Sequence, residues 1–473
     1  MLPPATPAHW VGPRPRTGGV GAGLGRARTR YPRGVRIIVM GAGHVGMTIV
    51  EALHTEHELV VVDLDPGRLR ELSYAYDVRT VTGNGASREA LEEAGVKEAE
   101  LVLVSTSSVE ANLVAAMLVR RLSGAKTVVR TSGVDYLDSW REGFLDIDHM
   151  VSPEIRAARQ IAGTLAVPGA CSTELFAEGR VQVVEFDVPS GTPPLGGSCL
   201  GDAELPRDSI VSCIVRDDAV VPADAREQVR PGDRLIVIGS PAAAREWSRR
   251  LDPDERPIED VVVFGAGRIG GAAARELLDR GFVVRIVEPD ADRAQRAATE
   301  LSRASVFQVT GLDRRFLRRE RIDQASAVVT ATGDDAKNLY LAILAGTIGV
   351  PFTLGVVDDP TSVAVFGRGG VDVTINPRIE TAEEMIRFAH DPRTHQLAIL
   401  DEDRFEVLDI LVRADSELVG RRFHDLPRTG SMIGALVRDG AVLFPRGEDV
   451  LQAGDRAIVL VEAGRASLVE RVL

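Results

Sequence analysis

Val35-Arg-Ile-Ile-Val-Met-Gly-Ala-Gly-His-Val-Gly46 runs through a block of β-forming residues, breaks at a glycine and resumes as an apolar-periodic stretch. A G-x-G-x-x-G pattern alone is weak, but Gly41, Gly43 and Gly46 directly follow a strand and open a helix, the context the pattern needs. The first glycine makes the turn, the second lets backbone approach a pyrophosphate, and the third permits close helix packing. The helix N-terminus then offers free N–H groups and a positive dipole end to phosphates. Gly41, Ala42, Gly43, His44, Val45 and Gly46 are therefore the expected phosphate cradle.

A second strand ends at Asp63, 22 residues after Gly41, where a carboxylate can accept both hydroxyls of an adenosine ribose. Such an acid favours NAD over NADP, whose 2′-phosphate it would repel. Gly83-Asn84-Gly85 follows the third strand and Ser105-Thr106-Ser107 the fourth, along the carboxyl edge where open α/β sheets bind ligands. Asn84 and Thr106 suit a local turn or cap nearly as well as ligand contact.

The opening stretch returns as Asp260-Val-Val-Val-Phe-Gly-Ala-Gly-Arg-Ile-Gly270, which places Gly41 and Gly265 224 positions apart. Val104-Ser-Thr106 recurs as Val329-Thr-Ala-Thr332, each followed six residues later by an asparagine, Asn112 and Asn338. Pro231-Gly-Asp233 is echoed by Ala453-Gly-Asp455. Near-constant offsets across three unlike features mean that a unit of about half the chain is duplicated. Within each half, β-rich runs such as Ile37 to Met40, Leu59 to Val62 and Leu101 to Val104 alternate with helical stretches, which predicts a doubly wound parallel sheet. Ser152-Pro-Glu154 opens a helix, to about Leu165, that links this sheet to a β-rich module. Three strands are expected in that module, Val181 to Val188, Ile210 to Val215 and Leu235 to Ile238, repeated as Phe405 to Val412, Gly434 to Val437 and Arg456 to Val461. The predicted fold class is thus α/β, a duplicated Rossmann-like sheet with a small β-rich α+β domain after each copy.

The second loop keeps Gly265, Gly267 and Gly270, and an acid, Glu288, 23 residues after Gly265. Its chemistry is less complete: where the first half has Thr82-Gly-Asn-Gly-Ala86, the second has Thr310-Gly-Leu-Asp-Arg314, so Leu312 takes the place of Asn84. Ligand binding and a nucleotide-free scaffold are equally compatible with that loop.

Bulk properties narrow the function classes. Hydrophobic residues at 44% and charged ones at 26% are ordinary globular values. No apolar run nears the roughly 18 residues of a spanning helix, so a membrane role must come through a partner. A net charge of −13 disfavours nucleic acid as a partner. Residues 1–34 carry six arginines and no acid in a Gly/Pro-rich context without a signal-peptide core; this tail is expected to be disordered. Cys171, Cys199 and Cys213 have no C-x-x-C spacing and read as reduced thiols of a cytoplasmic protein. His54 with His57, and His390 with His395, lack the further ligands of a zinc site.

Val39-Met-Gly-Ala-Gly-His-Val-Gly46, Val61-Val-Asp-Leu-Asp65, Gly83-Asn-Gly85, Val104-Ser-Thr-Ser-Ser108 with Asn112, and Val151-Ser-Pro-Glu154 together resemble the TrkA family, built from tandem RCK (or KTN) domains. The likeness covers residues 35 to 473. It implies RCK-N domains at 35–152 and 258–378, and linking helices with RCK-C domains at 153–250 and 379–473. It further implies that NAD(H), or an adenine nucleotide such as ATP or ADP, binds the RCK-N domains. A ring-like homo-oligomer at the cytoplasmic membrane face would then act on a TrkH-like potassium-translocating subunit. The implied contacts are Gly41 to Val45, Asp63, Thr106, Ser107 and Arg130 in the first domain. In the second they are Gly265, Ala266, Gly267, Arg268, Ile269 and Glu288, with Gly270 completing the motif, but Phe352 to Asp358 holds no arginine to match Arg130.

An NAD-dependent oxidoreductase is the main alternative, since the same fingerprint serves hydride transfer. Its substrate domain would need a proton donor and an anion-binding cation. Instead the companion modules are small and duplicated, with no histidine between His149 and Arg250 and no Tyr-x-x-x-Lys pair. A redox-sensing repressor would need a helix-turn-helix with a basic recognition helix, and none is legible.

Overall fold

A computed structural model describes residues 34–189, 194–217, 219–251, 257–311, 314–389, 394–400, 404–426, 431–463 and 465–473. The basic tail up to residue 33, the boundary stretch 252–256, Leu312 and His390 lie outside the described residues.

The first sheet contains β1 (Arg36–Met40), β2 (Glu58–Asp63), β3 (Arg79–Thr82), β4 (Leu101–Val104), β5 (Lys126–Arg130) and β6 (His149–Val151). Its order is β3-β2-β1-β4-β5-β6 and every pairing is parallel. The order reverses between β1 and β4, so the glycine loop after β1 stands at the topological switch point. Helices cover both faces, which explains the unbroken apolar runs of β1 and β4. Next comes a small antiparallel sheet of β7 (Ala170–Phe176), β8 (Val181–Asp187), β9 (Ser209–Arg216), β10 (Ala219–Pro222) and β11 (Arg234–Gly239), in the order β10-β9-β11-β8-β7.

The second half repeats both sheets. Strands β12 (Asp260–Phe264), β13 (Val283–Val287), β14 (Ser305–Phe307), β15 (Ala327–Thr330), β16 (Thr353–Val356) and β17 (Val373–Ile375) lie in the order β14-β13-β12-β15-β16-β17. The last sheet contains β18 (Thr394–Leu400), β19 (Phe405–Leu411), β20 (Ser431–Arg438), β21 (Ala441–Leu443) and β22 (Arg456–Glu462), ordered β18-β19-β22-β20-β21.

Among the described residues each small sheet thus has five strands rather than three. The short β10 and β21 are hairpin returns of β9 and β20. The edge strand β7 is hidden in the sequence by its polar content, because Thr173 and Glu174 are buried there without being apolar.

Two crossover helices organise the halves. Pro153–Leu165 is capped by Ser152, whose Oγ accepts from the Ile155 N–H at 3.3 Å, and Pro377–Ile386 by Asn376, whose Oδ1 accepts from the Arg378 and Ile379 N–H groups. These helices do more than link subdomains, because each packs on the other half. Ala157, Ala158, Ile161 and Leu165 join the core of the second parallel sheet and its glycine-loop helix Arg268–Asp279. Ala382, Met385 and Ile386 join the core beneath the first glycine-loop helix, His44–Leu53. The two small sheets also share one core, where a Cβ on Gly434 would lie 2.5 Å from Ile238.

The repeated Gly-Asp turns have a structural explanation. Asp233 grips Arg216 through both carboxylate oxygens at 2.7 and 2.8 Å and accepts from the Arg230 N–H; Asp455 does the same with Arg438 and the Gln452 N–H. Asp455→Ala is expected to destabilise the chain by about 1.5–3 kcal/mol in urea melts, with Arg438, a quarter exposed, reaching water. Asp233→Ala should lose less, because Arg216 retains Glu227 at 2.7 Å; a larger loss at Asp233 than at Asp455 would contradict this account.

Candidate nucleotide site

The first glycine loop is rigid where it turns and open where a ligand would approach. Gly41 has a φ of +101°, a left-handed conformation that favours glycine. A Cβ on Gly46 would stand 1.8 Å from the Gly41 carbonyl oxygen, so the helix start lies directly under the turn. A Cβ on Gly43 would meet nothing within 4 Å. His44 is exposed at the first helical residue, and Ala42, Val45 and Gly46 are buried.

Asp63 braces this loop. Its Oδ2 accepts from the Ala42 N–H at 2.6 Å and its Oδ1 from the Asp65 N–H at 2.8 Å. Ala42 is therefore committed to the brace and does not line the cleft, nor does Gly46. Each Asp63 oxygen keeps a lone pair for a further donor such as a ribose hydroxyl.

The loop forms one wall of a cleft of about 580 Å³ along the carboxyl edge of β1, β2 and β4, a size suited to a dinucleotide. Gly43, His44, Asp63, Asn84, Thr106, Ser107 and Arg130 all border it, so the sequence candidates converge on one place. Asn84 makes an Asx turn, its Oδ1 accepting from the Ala86 N–H at 3.0 Å. Thr106 hydrogen-bonds to buried Asn112, whose Nδ2 also donates to the carbonyl oxygens of Thr106 at 3.2 Å and Arg130 at 2.9 Å. Asn112 thereby ties the ends of β4 and β5 and aims Arg130 at the cleft. Burial holds the Arg130 guanidinium below the usual arginine range; Glu154 opposes that shift while Arg378 and Arg268 reinforce it.

Arg378 was not legible as a site residue. It belongs to the second half's crossover helix, yet it lines the first cleft. Aligning the halves could have found it, since Asn376-Pro-Arg378 repeats Ser152-Pro-Glu154 at the 224-residue offset.

The second loop copies the backbone but changes the chemistry. Gly265 has a φ of +104°, and a Cβ on Gly270 would lie 2.1 Å from its carbonyl oxygen, while Gly267 is open. Glu288 repeats the brace, accepting from the Ala266 N–H at 2.7 Å and the Asp290 N–H at 2.9 Å. Unlike Asp63 it is fully buried and also paired with Arg293 at 2.9 Å. Burial pushes its carboxyl up, but Arg293 and the two N–H groups outweigh that and hold it below the ordinary range. Asn338 bridges Thr332 to the Val356 carbonyl oxygen, which puts Val356 in the place of Arg130. Arg268, in the place of His44, meets Glu154 of the first crossover helix at 3.4 Å, and Ile269 packs on the core. The space beside Gly267 and Arg268, about 980 Å³, runs between helices Arg268–Asp279 and Ala291–Glu300 and is walled by ionic residues such as Arg275 and Glu300, which pair at 3.0 Å.

Comparison with known proteins fits this duplicated plan. The TrkA-N domain matches residues 37–153 and 261–377, and the TrkA-C domain matches residues 183–252 and 407–473. The chain belongs to the TrkA family. A Trk system potassium uptake protein TrkA homolog of Archaeoglobus fulgidus is 28% identical over 93% of this chain and 100% of its own length. The Trk system potassium uptake protein TrkA of Azorhizobium caulinodans is 29% identical over 93% of this chain and 98% of its own. Among solved structures, the GsuK channel bound to NAD has the same fold at a TM-score of 0.57, with 16% identity over 94% of this chain and 81% of that one. In this TrkA-family chain both TrkA-N matches include a glycine loop, and only the first adds an acid that borders the open cleft and an arginine at the sheet edge.

Proposed function

We propose that this chain is a non-catalytic, cytoplasmic regulatory subunit of a Trk-type potassium uptake system, which senses NAD(H), or ATP or ADP, at its first parallel sheet. The observation that carries the proposal is the cleft in which the open Gly43 backbone, the Asp63 carboxylate and the Arg130 guanidinium face one space. Asp63 takes the ribose, Gly41 to Val45 and the helix N-terminus take the pyrophosphate, and Thr106, Ser107 and Asn84 line the edge. The names of the full-length relatives support the potassium system, and a like-folded channel bound to NAD supports the ligand class.

The potassium path is assigned to a TrkH-like membrane subunit, on whose inner face this chain docks; among the described residues no helix is long and apolar enough to cross a membrane. A homo-oligomeric ring is supported by matching exposed apolar residues, Val114 and Met117 on helix Val109–Leu122 and Tyr340 and Ile343 on helix Asp335–Ile348. Regulation then follows if nucleotide states of the ring bind the membrane subunit with different affinities. The second loop, Gly265 to Gly270 with Glu288, is the weaker nucleotide candidate, because its acid is buried and ion-paired.

Asp63→Ala is expected to weaken NADH binding more than tenfold in fluorescence titrations, and wild-type affinity in that variant would remove the ribose role. Potassium flux through a reconstituted Trk-type membrane subunit should change when NADH or ATP is added with this chain. Flux that ignores both nucleotides would sink the regulatory proposal.

A further inference from the structure

Three guanidiniums border the first cleft; Arg68 pairs with Asp65 at 3.7 Å, and among the described residues neither Arg130 nor Arg378 forms an ion pair there. Arg130 comes from the end of β5 in the first half. Arg378 is the second residue of the second half's crossover helix, which packs on the first glycine-loop helix and so delivers a side chain to the mouth of the loop. Each raises the other's electrostatic energy, and the acids that act on them at longer range, Glu154 and Asp358 on Arg130 and Asp359 on Arg378, do not neutralise them in contact. Two half-buried, mutually repelling cations facing a glycine cradle suit a ligand with several anionic oxygens, and a guanidinium binds phosphate through paired N–H donors.

We propose that Arg378 grips the phosphate groups of the nucleotide together with Arg130, so that the ligand in the first cleft is clasped by both halves of the chain. The inference rests on the nucleotide reading of that cleft and adds a specificity-determining residue from the opposite half. The ligand class is a nucleotide with at least two phosphates. The reciprocal position explains the unequal sites: at the second loop the first half supplies Glu154 instead of an arginine, and this carboxylate pairs with Arg268. An acid there repels the phosphates that Arg378 attracts.

The test is titration of the full-length chain and its Arg378→Gln and Arg378→Lys variants with NADH and with ADP, alongside melting temperatures and amide exchange. Arg378→Gln should melt as the wild type does, because the side chain is half exposed, and should bind both nucleotides about 10–100-fold more weakly. Arg378→Lys should recover part of that loss. NADH should slow amide exchange across residues 377–386 in the wild type and not in Arg378→Gln. Wild-type affinity in Arg378→Gln would overturn the clasp while leaving the nucleotide reading intact. A loss that lysine does not recover, accompanied by a lowered melting temperature, would reduce Arg378 to a structural residue and overturn it as well. If the wild type binds neither NADH nor ADP, both proposals fall.

Discussion

Gly43→Val is expected to abolish measurable NADH binding while leaving the melting temperature within about 2 °C of wild type, whereas Gly46→Ala should damage the fold itself. The contrast follows from what a side chain would meet. At Gly43 the space within 4 Å is open, so valine fits the protein but fills the place where backbone must approach a pyrophosphate. At Gly46 a single methyl would stand 1.8 Å from the Gly41 carbonyl oxygen, and neither the turn nor the buried helix can retreat by the distance required. Overpacking against backbone should cost at least about 3 kcal/mol, read by thermal or urea melts. A Gly43→Val protein that binds NADH normally would place the ligand elsewhere.

Arg156→Leu should remove about 3–5 kcal/mol of stability, more at pH 8 than at pH 5. Arg156 lies in the first crossover helix, holds both Glu174 oxygens at 2.9 Å and reaches Glu380 of the second crossover helix at 3.1 Å. Removing it leaves two buried carboxylates facing each other without a cation. The Glu380 carboxyl is raised to about 7, with burial pushing it up most, Arg156 pulling it down and Glu174 pushing it up. An acid whose folded pKa is raised contributes stability below its ordinary pKa, and that contribution is lost as pH rises through about 7. Without Arg156 the raised state should extend further, so the defect grows with pH. Glu384 is opposite in sign: despite burial, His149 and Arg387 hold it down to about 2, and its contribution is lost as pH falls toward that value. Urea melts of wild type and Arg156→Leu at the two pH values decide the matter. An equal defect at both would show that the carboxylates are not what Arg156 serves.

The glycine loops, both parallel sheets and their duplication were legible because their signals are local: strand-length apolar runs, a turn that only glycine makes, and matching offsets. Convergence of Asp63, Asn84, Thr106, Ser107 and Arg130 on one cleft was legible too, because the carboxyl edge of such a sheet is a single place. The bracing by Asp63 was not, since an acid that braces a loop and one that would hold a ribose occupy the same position in the sequence. β7 escaped because Glu174 looks like a surface residue until Arg156 is seen beside it. Arg378 escaped because its contact joins residues more than 200 positions apart, and no periodicity reports that the crossover helices exchange sides.

That exchange carries a reversal of sign. Glu154 and Arg156 in one crossover helix correspond to Arg378 and Glu380 in the other, 224 positions on. A chain made of two first halves would set Arg156 against a second Arg156 where Glu380 now sits, and two second halves would oppose glutamates in the same buried spot. The repeats can therefore no longer stand in for one another. What began as two copies of one unit now behaves as a heterodimer written into a single polypeptide, each half complete only opposite its unlike sibling.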